Sequence, residues 1–246
     1  MTSIIVSFFI VLSMFPREFE RYIPKDFVLR KAPRTAAITP AVIARGSVRS
    51  KKICLTFDAC ENRYKTGFDT TVAEELIRQK IPATIFVSGR WALDHQQVMR
   101  MLSSFPYFEF GNHSFIHPHC THIPVRRFED EVDLTQDVIF SLTGKVPVLF
   151  RSPYGEYDDT MVTVLASRGI SLVEYNLPSG DPDSNATAKK LIDYVSAKTN
   201  NGAIIVMHIN KRGWHTAEAL PKIIEELRKK KFEFVTVSDL VKVRRR

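Results

Sequence analysis

Side chains that can perform acid–base or metal chemistry follow several predicted β-strands of this chain. The five residues in question are Asp58, His113, Arg151, Asp181 and His208. Imidazoles and carboxylates transfer protons and bind divalent cations, and a guanidinium orients a carboxylate. Because the carboxyl ends of parallel strands meet at one edge of a sheet, where such folds build active sites, we expect these side chains to lie together. The pattern favours an enzyme over a scaffold.

Two histidines in one of these segments could bind a metal ion. His113 and His117 have the i, i+4 spacing that places two imidazoles on one side of a helical turn. Imidazole is a common zinc ligand, and a catalytic zinc site has about three protein ligands and an open position. Since His119 and His122 lie nearby, a surface loop with incidental histidines is the alternative.

Asp58 comes directly after the predicted strand Lys52–Phe57, which we expect to be buried on both faces. A carboxylate there loses its hydration unless a cation, a metal or a hydrogen-bond donor meets it. Arg151, at the end of another predicted strand, could supply a bidentate guanidinium. A structural ion pair without chemistry is the alternative.

The elements that position these residues alternate regularly from Lys51 onward. Short runs of β-branched and aromatic residues predict seven strands, at Lys52–Phe57, Ala83–Val87, Phe108–Gly111, Pro147–Arg151, Ser171–Tyr175, Ala203–Met207 and Glu233–Val237. Longer segments between them predict helices at 69–80, 94–104, 126–143, 158–168, 186–200 and 216–230. This alternation predicts an α/β fold with a parallel sheet curled into a barrel, in one domain of residues 51–246.

The composition limits the class of protein. Of 246 residues, 44% are hydrophobic and 25% are charged, which is typical of a globular protein and excludes a disordered, collagenous or polytopic membrane protein. Lys and Arg number 35 against 27 Asp and Glu, and the net charge of +8 suits an anionic partner. Nucleic acid, anionic lipid and an acidic cell-wall polymer all meet that description.

The N-terminus carries an apolar run, residues 3–15, that is too short to cross a bilayer and fits the core of a signal peptide. No Lys or Arg precedes the run and no Ala-x-Ala site follows it, so an apolar arm packed on the domain is the alternative. We expect residues 1–15 to be a signal peptide or short apolar anchor. Residues 16–50 are basic and proline-containing, which predicts a linker or a wrapping arm.

Five ordered motifs resemble those of the NodB-like polysaccharide deacetylases, carbohydrate esterase family four. They are Thr56-Phe57-Asp58, His113-Ser114-x-x-His117, Arg151-x-Pro153-Tyr154, the loop of Asp181 and Met207-His208, within a resemblance that covers about residues 51–240. The resemblance implies a distorted (β/α)7 barrel of the NodB-homology type. It also implies a hydrolase that uses a divalent metal, zinc or else cobalt, manganese or nickel, to remove N-acetyl groups from a polysaccharide.

The resemblance assigns roles to the catalytic residues. Asp58 is expected to be the general base, held and oriented by Arg151. His208 is expected to be the general acid, with Asp181 behind it to fix its tautomer and basicity. The backbone N–H of Tyr154 is expected to donate to the oxyanion of the tetrahedral intermediate.

The sequence departs from the family at the third metal ligand. The family usually shows Thr-Phe-Asp-Asp, whose second aspartate completes the metal triad with His113 and His117, and Ala59 stands at that position. Asp69 is our first candidate for the missing ligand, and an N-cap of the helix 69–80 is its alternative role. In addition, Pro182 stands where a Trp commonly follows the tuning aspartate.

The three cysteines leave several possibilities open. Cys60 and Cys120 each follow a site motif, so they could form a disulfide, act as a soft metal ligand or simply be unpaired. Cys54 lies inside the first predicted strand and is interpreted as a core residue.

The expected partner is an N-acetylated polysaccharide, with N-acetylglucosamine units of peptidoglycan or a chitin-like polymer as the substrate. We expect no nucleic acid and no stable protein partner, membrane contact only through residues 1–15 if they are uncleaved, and a secreted, periplasmic or cell-envelope location. A glycan-binding pseudoenzyme, favoured by Ala59, is one alternative. A deacetylase for small amides or O-acetyl esters is another; an open groove indicates a polymer enzyme, a closed pocket a small-amide enzyme.

Overall fold

A parallel sheet organises the chain, which a computed structural model describes for residues 17–61 and 67–242. Its strands are β1 (Val42–Ile43), β2 (Lys52–Ala59), β3 (Ala83–Val87), β4 (Phe108–Asn112), β5 (Leu149–Phe150), β6 (Ser171–Val173), β7 (Leu177–Pro178), β8 (Ile204–His208) and β9 (Glu233–Phe234). The order is β1-β6-β5-β4-β3-β2-β8-β7, with β9 paired to the start of β2. Every one of these pairings is parallel, so the strands end at a common edge. The predicted parallel sheet is confirmed; β1 and β7, of two residues each, are too short to show a periodicity in the sequence.

Helices connect these strands. In the described residues they are α1 (Arg17–Glu20), α2 (Thr70–Arg78), α3 (Gly89–Asp94), α4 (Gln96–Ser103), α5 (Val125–Thr143), α6 (Asp159–Ser167), α7 (Ala188–Lys198), α8 (Thr216–Lys229) and α9 (Val237–Val241). The six predicted helices correspond to α2 and α4–α8, with shifted ends, whereas the short α1, α3 and α9 were not predicted. No helix among the described residues is long and apolar enough to span a membrane.

Strand β2 separates two environments. Its odd-numbered side chains, Ile53 to Ala59, belong to the main apolar core, which also contains Val72 and Leu76 of α2. Because side chains alternate along a strand, the even-numbered residues face the other side. There Cys54 lies in a second apolar cluster, as predicted for a core residue, and the carboxylate of Asp58 reaches the cavity at the end of the strand.

The described part of the N-terminal segment packs against the rest of the protein. Phe19 of α1 is fully buried, and its ring meets that of Phe115 edge-on at a centroid distance of 5.0 Å. Strand β1 extends the sheet beside β6, and the N–H of Ala32 and the ammonium of Lys31 both donate to Asp137 at 2.8 Å. This segment therefore contributes to the core as an arm. The predicted leader, residues 1–15, lies outside the described residues.

Candidate active site

Most of the predicted site residues meet around a cavity of about 200 Å³ at the carboxyl edge of the sheet. The side chains that line it include Asp58, His113, His117, Tyr154, Asp181, His208 and Arg212. Strand register explains the central pair, because Asp58 of β2 lies directly opposite His208 of β8. Arg151 follows β5 and lies behind Asp58, 1% exposed.

Arg151 holds Asp58 through a single nitrogen. Its Nη1 donates to Asp58 Oδ1 and to Thr56 Oγ1, at 2.8 Å in each case. The guanidinium lies 4.1 Å from the centroid of the Phe86 ring, and its Nε and Nη2 have no hydrogen-bond partner among the described residues. The expected bidentate contact between Arg151 and Asp58 is therefore absent. One charged hydrogen bond to Asp58 and stacking on the Phe86 ring hold the guanidinium instead.

The surroundings of Asp58 favour its ionised form. Burial raises the pKa of this carboxyl, but Arg151 and the two neighbouring imidazoles, His113 and His208, outweigh burial and lower the pKa below its usual value. An ionised carboxylate at neutral pH can accept a proton, which is what a general base must do.

His208 and Asp181 form the second charged pair. The imidazole Nδ1 lies 2.9 Å from Asp181 Oδ1, and the backbone N–H of His208 donates to Asp181 Oδ2 at 2.7 Å. Thr216 Oγ1 donates to the same Oδ2 at 2.7 Å. Burial lowers the pKa of His208, but the hydrogen bond and charge of Asp181 outweigh burial and raise it. Because Asp181 engages Nδ1, the other ring nitrogen of His208, Nε2, is the one that can donate a proton in the cavity.

The two candidate metal-binding histidines lie on a loop, not on the helical turn that their spacing predicted. Ser114 and His117 both have left-handed backbone conformations, with φ of 63° and 59°. Asn112 Oδ1 accepts from the N–H of Ser114 at 2.9 Å, and Glu131 Oε2 accepts from two further N–H groups of the loop at 2.6 and 2.9 Å. The loop nevertheless brings the rings of His113 and His117 to a centroid distance of 4.9 Å.

Both imidazoles are suited to metal binding. His113 Nδ1 lies 2.8 Å from the carbonyl oxygen of Arg151, so it carries the proton and leaves Nε2 as a ligand atom. Burial lowers the pKa of both histidines, to about 3 for His117, where the neighbouring His113 adds to the effect. Neutral imidazoles are the form that binds divalent cations.

Asp69, the first candidate for the third ligand, has the alternative role. It is the N-cap of α2, where its Oδ1 accepts from the N–H groups of Thr71 and Val72 at 3.1 and 3.2 Å. The carboxylate is committed there because the first N–H groups of a helix have no intrahelical acceptor. Asp69 does not belong to the cluster that surrounds the two histidines.

Cys60 supplies the third donor of that cluster. The ligand atoms of Cys60, His113 and His117 all lie within 4.8 Å of one another, and within the described ranges they are the one such group of three. A thiolate and two imidazoles are a donor set that zinc accepts, so the residues present fit a divalent metal.

None of the three cysteines forms a disulfide. Burial raises the pKa of the Cys60 and Cys120 thiols to about 12. Asn210, which the sequence interpretation missed, is fully buried and donates to the carbonyl oxygen of Cys60 at 2.6 Å and to its Sγ at 3.6 Å. Asn210 lies two residues after His208, and an asparagine at that position is not part of any motif that the sequence shows.

Tyr154 forms the exposed wall of the cavity. It has a left-handed backbone conformation, with φ of 62°, and its ring stacks on that of His119 at a centroid distance of 4.0 Å. Its ring also meets His117 edge-on at 4.7 Å. The side chain is 53% exposed, so an aromatic face is offered at the mouth of the site.

A larger cavity, of about 530 Å³, lies between the N-terminal arm and helices α5 and α6. Its carboxylates are occupied, since Asp133 pairs with Arg168 at 2.6 Å and Asp137 pairs with Lys31 at 2.8 Å. Among the described residues, no histidine or cysteine lines it. Although it is larger, this cavity is therefore a weaker candidate for the active site than the cavity that Asp58 and His208 line.

Known proteins resemble the chain in sequence and fold. The sequence model of the polysaccharide deacetylase family matches residues 45–173. The peptidoglycan-N-acetylmuramic acid deacetylase PdaA of Bacillus subtilis (strain 168) is 30% identical over 199 residues, which are 80% of this chain and 73% of that protein. The structure of peptidoglycan deacetylase PdaC from Bacillus subtilis superposes with a TM-score of 0.66 at 27% identity, over 79% of this chain and 91% of that one.

A CE4 family pseudoenzyme from Bacillus anthracis has the same fold. It superposes with a TM-score of 0.74, over 82% of this chain and 69% of that one, and at 24% identity the likeness concerns the fold alone. Together with the parallel sheet, these likenesses confirm the predicted distorted (β/α)7 barrel.

Proposed function

Since this chain belongs to the polysaccharide deacetylase family, we propose that it hydrolyses the N-acetyl groups of peptidoglycan. One observation carries the proposal: an ionised Asp58 held by Arg151 lies opposite, on the adjacent strand, a His208 held by Asp181. A base and an acid that line one cavity are what amide hydrolysis requires.

Asp58 is the general base of this mechanism. It accepts a proton from the attacking water, and Arg151 holds the carboxylate toward the cavity and keeps it ionised until then. His113 and His117 would hold a divalent cation, which when bound would supply Lewis acidity for the acetyl carbonyl and lower the pKa of water. The backbone N–H of Tyr154 is the proposed donor to the oxyanion of the tetrahedral intermediate.

His208 is the general acid. Its raised pKa keeps a proton available, and Nε2 gives that proton to the departing amine nitrogen as the C–N bond breaks. Asp181 accepts from Nδ1 throughout, which fixes the tautomer and stabilises the imidazolium before transfer. The products are acetate and a free amino sugar.

The shape and charge of the site support a polymer substrate. The cavity of about 200 Å³ is suited to an acetamido group and not to a whole oligosaccharide, which must extend over the surface. Tyr154, which lines the cavity and is 53% exposed, offers an aromatic face to such a chain. Trp214, whose N–H donates to the carbonyl oxygen of Asp181 at 3.0 Å, is 63% exposed. Arg212 on the cavity wall and the net charge of +8 suit an anionic wall polymer. We place the protein at the cell envelope, with residues 1–15 as a signal peptide or anchor.

A second candidate is a glycan-binding pseudoenzyme. Ala59 stands where the family usually has its third metal ligand, so the site lacks that carboxylate. The two candidates differ in whether the acid and base still turn over substrate.

Acetate release separates them. The full chain, with its metal content measured, is incubated with peptidoglycan, with muramic-acid-containing glycan strands and with chitin oligomers; His208→Ala is the matched control. The proposal expects acetate from a peptidoglycan substrate and about 10²–10⁴-fold less from the control. Metal-loaded protein that binds these glycans without releasing acetate would establish the pseudoenzyme.

A further inference from the structure

The cluster of Cys60, His113 and His117 assigns a metal ligand that the family pattern does not contain. We infer that Cys60 replaces the missing aspartate and completes a cysteine–histidine–histidine site. This inference rests on the proposed function for the role of the metal in catalysis. Whether these three side chains bind the ion is measured separately from activity.

The end of β2 puts position 60 on the correct face. Thr56 and Asp58 both contact Arg151, so they lie on the inner side of the sheet. Cys60 comes directly after β2, and its ligand atom lies on this side, within 4.8 Å of those of His113 and His117. Ala59 faces the other way, fully buried in the core that contains Val72. On this backbone, a side chain at position 59 points into the apolar core and not toward the two histidines.

The rival donors are otherwise engaged. Asp69 caps α2. Asp58 Oδ2 lies 3.9 Å from His113 Nε2, but its Oδ1 is held by Arg151 at 2.8 Å, and Asp58 is outside the group whose ligand atoms are all within 4.8 Å of one another. Cys60 therefore has the stronger claim, and Asp58 stays available as a base.

Asn210 holds Cys60 in place as a positioning residue. It is fully buried, its Nδ2 donates to the carbonyl oxygen of Cys60 at 2.6 Å, and it reaches Sγ at 3.6 Å. Ala59, the residue before Cys60, is fixed through its own carbonyl oxygen, which accepts from the N–H of Ser88 at 2.9 Å. A ligand whose backbone is fixed on both sides resembles the supported ligands of metal sites.

The donor set predicts which ions bind. A thiolate with two imidazoles favours zinc and cobalt, whereas manganese and magnesium prefer oxygen ligands. The thiol gives its proton to solvent when the ion binds, so a coordinated sulfur replaces an S–H group. Replacement of Cys60 by a carboxylate should move the preference back toward manganese.

Cobalt provides a readout that does not depend on activity, because a thiolate bound to Co²⁺ gives a near-ultraviolet charge-transfer band. The full chain is compared with Cys60→Ser, Cys60→Asp and the control Cys120→Ser, whose sulfur lies against the Pro118 carbonyl oxygen at 3.6 Å. We expect one equivalent of Co²⁺ and the band in the parent and in Cys120→Ser. Cys60→Ser should lose the band. Its zinc affinity should fall by more than about 10–100-fold, which is the loss typical of a residue that only hydrogen-bonds to a metal ligand. Cys60→Asp should bind the metal without the band, which excludes misfolding as the cause.

The inference is overturned if the parent binds one equivalent of Co²⁺ without the band, if it binds no metal, or if Cys60→Ser keeps the parent's zinc affinity. Loss of the band in Cys120→Ser alone would assign the sulfur to Cys120 and also overturn it. Metal binding that needs Cys60 without acetate release would leave this inference standing and reject the proposed function. Acetate release with a metal affinity indifferent to Cys60 would do the reverse.

Discussion

The two halves of the site are built by different means. The acid–base half, Asp58 with Arg151 and His208 with Asp181, depends on strand register, since Asp58 and His208 are direct partners on β2 and β8. The metal half, Cys60, His113 and His117, depends on the segments directly after the strands. Two of its three residues lie on a loop that requires left-handed backbone at Ser114 and His117.

This difference explains where the chain keeps to the family pattern and where it departs from it. In the acid–base half each charged group has a partner at 2.8 or 2.9 Å, and removal of one partner leaves the other charge buried and uncompensated. In the metal half a donor can be exchanged for another if its atom reaches the same point. The loss of the aspartate at position 59 and the presence of Cys60 one residue later are such an exchange.

His208→Ala should produce the largest effect and should keep the halves apart. We expect kcat to fall by about 10²–10⁴-fold, because the leaving amine then departs without a proton donor. Zinc content should not change, since His208 is not in the metal cluster. Acetate release and zinc analysis of the same preparation check both parts; a variant that also lost zinc would show that the halves are not separate.

Arg151→Lys tests how the acid–base half orients its base. An ammonium keeps the charge, but it has no planar group to stack on Phe86, and its flexible stem does not fix the one nitrogen that here donates to both Thr56 and Asp58. We expect kcat to fall by up to ~100-fold, the cost of a misplacement of about 1 Å. Steady-state kinetics measure this. Unchanged kinetics would mean that another group orients Asp58.

Asp181→Asn should act on the pH profile as well as on the rate. Asp181 raises the pKa of His208, and a general acid must be protonated, so activity is lost as the pH rises through that pKa. Asparagine removes the negative charge, hence the alkaline limb of kcat should move to lower pH, with a loss of about 10–100-fold at neutral pH. A profile of kcat against pH is the measurement. A rate loss with an unmoved limb would assign Asp181 a structural role only.

The acid–base half could be predicted from the sequence because each of its residues ends or follows a recognisable strand. The metal half could be predicted only in part. The spacing of His113 and His117 indicated a shared ligand role, but it suggested a helical turn, since neither Ser114 nor His117 is a glycine that would signal left-handed backbone. The alternation of seven predicted strands with helices predicted the parallel sheet, whereas the register between the strands could not be predicted from it.

Cys60 shows what strand alternation can and cannot give. The predicted strand ended at Phe57, whereas β2 continues to Ala59, so Cys60 is the first residue after the strand and not the third. Its contact with Asn210 joins residues 150 positions apart and could not be read from either segment.

Asp69→Asn should have the smallest effect and is the sharpest test of the metal half. Asparagine caps a helix as well as aspartate, so its oxygen can still accept from Thr71 and Val72, and unfolding midpoints should stay within measurement error. Asp69→Ala, by contrast, should lower stability by about 1 kcal/mol. Zinc content and kcat should match the parent in both variants, because α2 uses Asp69 only as a cap. If Asp69→Asn lost zinc while its unfolding midpoint held, the loop before α2 would reach the ion, and the metal half would be built from an acid and not from Cys60. If Asp69→Asn kept zinc and activity while Asp58→Asn lost both, Asp58 would be the ligand, and the base would have to lie elsewhere.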